Sequence, residues 1–315
     1  MIKKMSARPT FSTHNRPYRL YRVAFVFGVA AWALSVAARG GSLPTPADDW
    51  VVVVPVANMY SAPTEDSDVV SQALYGTNVT VLEEKPGWAK IQTPDHYAGW
   101  LSLDQAQRLS ASNPHYPGSG KVLQVTSLSA NLYREPDVTA HRPLLTVPYE
   151  TQLESLGEGK GDNARWLQVR LPDNQSAWIQ QGDVVSNPRP LSIEESISLG
   201  KQFLGVTYTW GGRSSFGFDC SGFTQMLARS RGINMPRDAD LQAAWDGVAA
   251  IDRRHLRPGD LLFFGSAADH ITHTGMFIGH GEFIHDTTSG HPGVKISRLR
   301  DQPWTRLLVA CRRIK

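Results

Sequence analysis

The chain has 315 residues, 41% of them hydrophobic and 19% charged, which is ample for several globular domains, and it shows no low-complexity tract. Its formal charge of +3 is not a nucleic-acid footprint. Six of the 32 basic residues (Lys3, Lys4, Arg8, Arg16, Arg19, Arg22) precede residue 23, which leaves 26 against 29 acidic ones, a net of −3, in the rest of the chain.

That basic start leads into Val23 to Ala38, sixteen uncharged and largely apolar residues, and no acidic residue occurs before Asp48. The run is short for a membrane span of about twenty residues. Ser35-Val36-Ala37-Ala38 offers the small residues a signal peptidase needs. Residues 1–38 are therefore expected to be a signal peptide cut after Ala37 or Ala38, with an uncleaved membrane anchor as the alternative. Either way the protein is exported, to the periplasm, the cell envelope or the exterior. No cysteine follows the apolar run, which excludes a lipoprotein.

Residues 49–110 and 120–187 read as two copies of one module. Ala57-Asn58-Met59-Tyr60-Ser61-Ala62-Pro63 recurs as Ala130-Asn131-Leu132-Tyr133-Arg134-Glu135-Pro136, and Trp88 to Asp95 recurs as Trp166 to Asp173. Each copy closes on a tryptophan and an aliphatic residue, Trp100-Leu101 or Trp178-Ile179. Short β-type runs separated by Gly, Pro, Asn and Asp predict small barrels. Gly157 to Gly161 lacks phosphate-loop spacing and reads as a hairpin loop.

Further along, Tyr208-Thr209-Trp210-Gly211-Gly212 through Gly217 reads as loop, and Cys220 to Arg231 spaces Phe223, Met226 and Leu227 along one helical face. Cys220 then falls in a first helical turn, where free N–H groups and the helix dipole favour a thiolate. A base and its support lie downstream. Ile271 to Gly279 reads as a strand carrying His273, and Glu282 to His285 as the strand returning after the turn at Gly279-His280-Gly281. Such a hairpin can set both imidazoles side by side, so that His273 takes the thiol proton while His285 holds its ring. Five of the ten histidines (His270, His273, His280, His285, His291) crowd this stretch, but no H-E-x-x-H pair occurs and no metal is expected. Cys311, in a terminal apolar strand, is expected to be a packed, unpaired thiol.

Asp219-Cys220-Ser221-Gly222-Phe223 opening a helix, Pro258-Gly259-Asp260-Leu261-Leu262-Phe263-Phe264 opening a strand, and His273 and His285 in the next two strands resemble the NlpC-type cysteine peptidases, papain-like enzymes of bacterial cell-wall peptides. The duplicated module resembles the bacterial SH3-like domains that often accompany them. The implied fold class is α+β, with a papain-like domain at 192–315 preceded by two all-β SH3-like barrels. The resemblance implies Cys220 as nucleophile, His273 as general base and His285 as orienting residue, with no cofactor or metal.

Tyr208 and Pro236-Arg237-Asp238-Ala239-Asp240 further resemble the γ-D-glutamyl-L-diamino acid endopeptidases of the dipeptidyl-peptidase VI type, which cleave after L-Ala-γ-D-Glu with a free amino terminus. By that likeness Asp219, Ser221, Arg237 and Asp238 contact the dipeptide and Tyr208 borders the reaction centre. An arginine suits the D-Glu α-carboxylate and a carboxylate suits the ammonium. Asp238 also reads as a helix cap. In that type the first barrel narrows the site with a tyrosine and an acid, here Tyr97 and either Glu65 or Asp68. Two residues depart from the family pattern, Thr274 after the base and Asp286 after His285. Asp286 is expected to raise the basicity of a nearby imidazole. The implied partner is a peptidoglycan-derived peptide, with no nucleic acid, no membrane contact beyond an N-terminal anchor, and a monomeric state. The alternatives are an endopeptidase of intact peptidoglycan and a non-catalytic wall-binding protein.

Overall fold

Period-two burial builds the first all-β region: Val56–Tyr60 and Trp88–Gln92 both bury every second residue. In the computed structural model, which describes residues 50–110, 112–118 and 120–315, one antiparallel sheet runs in spatial order through Val69–Leu74, Val56–Tyr60, Ala98–Ser102, Trp88–Gln92, Asn78–Lys85, Trp50–Val52 and Ala106–Arg108. Val52, Met59, Ile91 and Leu101 fill its interior, each large apolar side chain contributing about 1.5–3 kcal/mol. The segment read as a signal peptide or anchor lies outside the described residues. Among the described ones no helix is long and apolar enough to cross a membrane.

A second β region repeats the pattern. Ser176–Gln180, Trp166–Arg170, Gln152–Glu158, Val122–Val125 and Val184–Ser186 form one sheet, and Leu145–Pro148 pairs with Ser129–Leu132. The duplicated motif makes the same contact twice. Tyr60 meets Trp88 edge-on at 5.6 Å between ring centroids, and Tyr133 meets Trp166 at 5.4 Å. Tyr60 also bridges to Trp100, and Tyr133 to Trp178.

The remaining segment is α+β. Helix α1 (Ile193–Gln202) begins at a capping box in which Ser192 and Glu195 bond each other's backbone N–H. Helix α2 (Cys220–Ser230) follows a short hairpin, then come α3 (Ala239–Ala244) and, near the C-terminus, α4 (Trp304–Leu307). An antiparallel sheet orders Val248–Ala250, Leu308–Ile314, Leu261–Ala267, His270–Gly279, Glu282–Thr287 and Gly293–Arg298. Its central strands are apolar on both faces because both are covered. Leu261, Phe263, Met276 and Ile284 pack with Phe223, Met226 and Leu227 of α2, whereas Leu262, Phe264, Phe277 and Phe283 pack with Trp304 of α4 and Cys311.

These regions are tied by polar side chains as well as by packing. Gln225 donates to Asp95 at 3.0 Å, the Arg213 N–H donates to Gln72 Oε1 at 3.1 Å, and Arg229 pairs with Glu150 at 2.8 Å. The Tyr149 ring, from the second β region, enters the α+β core against Phe203 at 5.5 Å. The first β region is thereby fixed over the start of α2.

Candidate active site

Cys220 is the first residue of α2, and the helix begins there because Asp219 caps it, its Oδ1 accepting the Gly222 N–H at 2.7 Å. Gly222 lets the preceding loop close onto the helix, since a Cβ there would lie 2.1 Å from the Gly212 carbonyl oxygen. Cys220 is 8% exposed and lines a cavity of about 580 Å³ together with Tyr208, Trp210, Asp219, Ser221 and Asp238. Both cysteines are free thiols, and Cys311 lies on the α4 side of the sheet.

The hairpin brings the two imidazoles together as the spacing predicts. His273 Nε2 lies 2.7 Å from His285 Nδ1, and His285 Nε2 lies 2.9 Å from the Ser297 hydroxyl. Trp304 stacks on His273 at 5.2 Å and meets His285 edge-on at 4.7 Å, while Phe264 and Phe283 close the cage. Ser297 and Trp304 were not legible beforehand, because each reaches the pair through sheet register and chain return rather than through a local motif. Among the described residues no cluster of three His, Cys, Asp or Glu side chains is arranged to hold a metal ion.

Burial, not the helix terminus, dominates the electrostatics of the thiol. It pushes Cys220 up to about 12, with the Asp219 charge adding to the rise, while the Thr274 N–H, Arg237 and the Ser221 N–H only oppose it. The expected resting thiolate is corrected accordingly: Cys220 rests as a thiol. Burial likewise draws His273 down to about 4 and His285 well below the usual imidazole range, His273 and Lys295 adding to the latter. Contrary to the expectation from the sequence, Asp286 does not raise an imidazole. Neither of its oxygens is hydrogen-bonded, and His285 titrates low, not high.

Arg237 also differs from expectation. It is 2% exposed, and each N–H of its guanidinium faces a protein acceptor: Asp219 Oδ1 and Oδ2 at 3.0 and 2.6 Å, Ser221 Oγ at 2.8 Å, Gly212 O at 3.2 Å and Ser71 Oγ at 3.3 Å. No donor is left for a substrate carboxylate, so Arg237 fixes Asp219 and Ser221 instead of clamping a ligand. Asp238 stands at the start of α3 without making a capping bond; it accepts instead from the Tyr97 hydroxyl at 3.1 Å, across the junction with the first β region. Burial raises Asp238 despite Arg237, and raises Tyr97 to about 12. Tyr208 and Asp68 line the cavity, whereas Glu65 is exposed on the neighbouring turn and is not among the lining residues. Trp210, which is exposed, half-buried Val69 and Val70, and Asp240 also line it, and the sequence reading did not single them out as site residues.

Known proteins resemble both the α+β segment and the first β region. The NlpC/P60 family model matches residues 205–313, and a model described as the bacterial dipeptidyl-peptidase Sh3 domain matches residues 59–105. A γ-D-glutamyl-L-lysine dipeptidyl-peptidase of Bacillus cereus is 36% identical over 240 residues, covering 70% of this chain and 68% of that protein. Its namesake from Bacillus subtilis is 29% identical over 262 residues, covering 79% and 82%. The crystal structure of an NlpC/P60 family protein from Bacillus cereus superposes with a TM-score of 0.73 at 29% identity, over 84% of this chain and 99% of that one.

Proposed function

From the NlpC/P60 family, to which this chain belongs, we propose that the protein is an exported cysteine peptidase that hydrolyses the bond between γ-D-glutamate and a diamino acid in cell-wall peptides, releasing L-Ala-γ-D-Glu. In this reading 49–110 and 120–187 are SH3-like barrels and 192–315 is the catalytic domain. Cys220 is the nucleophile, His273 the base and His285 its orienting partner. The role of base sets the tautomers: for His273 Nδ1 to be the acceptor, His273 donates from Nε2 to His285 Nδ1 and His285 donates from Nε2 to Ser297.

The thiol proton passes to His273 as sulfur attacks the γ-carbonyl carbon, and the oxyanion faces the N–H groups at the start of α2. The imidazolium then protonates the leaving amine as the C–N bond breaks. A water molecule that loses a proton to His273 cleaves the thioester and restores the thiol.

The observation that carries the dipeptidyl reading is the Tyr97–Asp238 pair, which closes one side of the cavity with a side chain from the first β region. Four lining residues are aspartates (Asp68, Asp219, Asp238, Asp240) and none is Lys or Arg, a lining suited to a substrate ammonium. L-Ala-γ-D-Glu-L-Lys with a free amino terminus should be cleaved, and its N-acetyl form at least about 100-fold more slowly, because acetylation removes a charge-assisted bond and adds bulk. Equal rates would reject the dipeptidyl reading in favour of an endopeptidase. Tyr97→Phe should raise KM for the free-amino peptide about three- to tenfold with little change in kcat, since it leaves Asp238 without its donor.

A further inference from the structure

Trp304 belongs to none of the local motifs around the cysteine or the histidines, yet its indole reaches both imidazoles. The residue is 8% exposed and opens α4, a single helical turn that the Thr305 hydroxyl ties to the Leu299 carbonyl at 2.7 Å. Steeply inclined neighbours fix the plane of its ring: Phe264 at 5.3 Å and 68°, Phe283 at 5.5 Å and 81°, and His285 at 4.7 Å and 88°. His273 is placed differently. It lies along the indole face, with ring centroids 5.2 Å and planes 29° apart.

The proposed reaction puts a positive charge on that ring. When the thiol proton arrives at His273 Nδ1, the S–H bond breaks, an N–H bond forms and the sulfur electron pair goes to the carbonyl carbon. The imidazolium then persists until it protonates the leaving amine. Burial opposes this cation, drawing His273 down to about 4, and its hydrogen bond supplies no counter-charge. Nε2 faces His285, which burial also keeps neutral and which in turn faces the Ser297 hydroxyl. Among the described residues neither imidazole is bonded to a carboxylate. Asp219 favours the charge from a distance, but both of its oxygens are held by Arg237. The electron-rich face of Trp304 is the group in contact with the ring that gains from a cation. Such a face attracts a charge within about 6 Å of its centroid, and most strongly where water is excluded.

We propose that Trp304 is a positioning residue of the reaction, whose π face stabilises the His273 imidazolium, the task that a carboxylate performs in a Ser-His-Asp triad. The inference rests on the reading of His273 as the base. A neutral imidazole gains far less from the indole face than the cation does, so the stabilisation falls on proton transfer and not on substrate binding.

The test installs tryptophan carrying one, two or three fluorines at position 304 alone, in the full protein. Fluorine withdraws electron density from the face while keeping the shape of the ring. With L-Ala-γ-D-Glu-L-Lys, kcat should fall step by step, by about five- to thirtyfold over the series, with KM and the melting temperature unmoved. Alkylation of Cys220 by iodoacetamide at pH 7, separated by mass from that of Cys311, should slow in the same order, because the thiolate forms as His273 takes the proton. A flat kcat across the series would overturn the proposal, and so would a loss confined to KM or matched by a falling melting temperature. Absent cleavage in every protein, with the graded alkylation intact, would reject the peptidase reading and leave the role of Trp304 standing. Absent cleavage with flat alkylation would overturn both.

Discussion

Replacing Cys220 by alanine is expected to lower release of L-Ala-γ-D-Glu by about 10⁴-fold or more, to the level left by binding alone, since the neighbouring Ser221 hydroxyl is already held by Arg237 and Asp219. Stability should change by about 1 kcal/mol, because one buried sulfur is lost at the cavity edge and neither the Asp219 cap nor the sheet register depends on it. Cys220→Ser should be nearly as inactive, an alcohol giving up its proton far less readily than a thiol. The readouts are turnover of the free tripeptide and a melting curve. Undiminished turnover in the alanine variant would remove the whole catalytic assignment.

The same site fixes the acid limit. His273 must be neutral to accept the thiol proton, and burial draws it down to about 4 from the ordinary imidazole value. Activity should therefore persist below pH 6 and fall as pH drops through about 4. The linkage to stability runs the same way: the unfolded chain binds the proton first, so the contribution of neutral His273 is present above about pH 6.5 and is lost as pH falls toward 4. An acid limb of kcat/KM centred near 6.5 would mean that the aromatic cage of Phe264 and Trp304 does not desolvate the base in solution.

Much of this was legible in the chain because it is local. The Asp-Cys-Ser-Gly-Phe run carries its own cap and its own close approach, and the two histidines twelve residues apart follow from hairpin geometry. The duplicated Tyr and Trp positions marked the repeat, and the structure shows what they do in it, the same edge-on ring pair twice. What escaped were quantities set by three-dimensional burial. A helix N-terminus argues for a low thiol pKa, yet Cys220 is covered on enough sides that desolvation wins. Arg237 reads as a ligand clamp until its neighbours are counted, and only the fold reveals that Ser71, 166 residues earlier, takes one of its protons. Tyr97 and Asp238 meet across 141 residues, a distance over which sequence pattern carries no register.

Arg237→Met is the substitution expected to harm the fold most, and the reason separates a structural arginine from a substrate clamp. The side chain is nearly fully buried and holds Asp219 through both carboxylate oxygens, so methionine leaves that carboxylate, the Gly212 carbonyl and the Ser71 hydroxyl without their donor. Breaking a buried pair from one side costs about 3–5 kcal/mol, more than the pair itself is worth, because the stranded charge keeps its desolvation cost. Denaturant unfolding should show that loss, and Arg237→Met combined with Asp219→Asn should lose markedly less than the sum of the two single changes. Lysine should rescue little, since one ammonium cannot serve acceptors arrayed around a planar fork. Catalysis adds an independent discriminator. A clamp on the D-glutamate α-carboxylate would make the variant lose more against D-glutamate peptides than against their D-isoglutamine forms, which lack that charge. With every guanidinium proton already taken by the protein, the variant should lose equally against both, through a loosened Asp219 and a weakened seat for the first β region over α2. Selective loss against the D-glutamate peptide would restore the clamp and require the guanidinium to release Asp219 when substrate arrives.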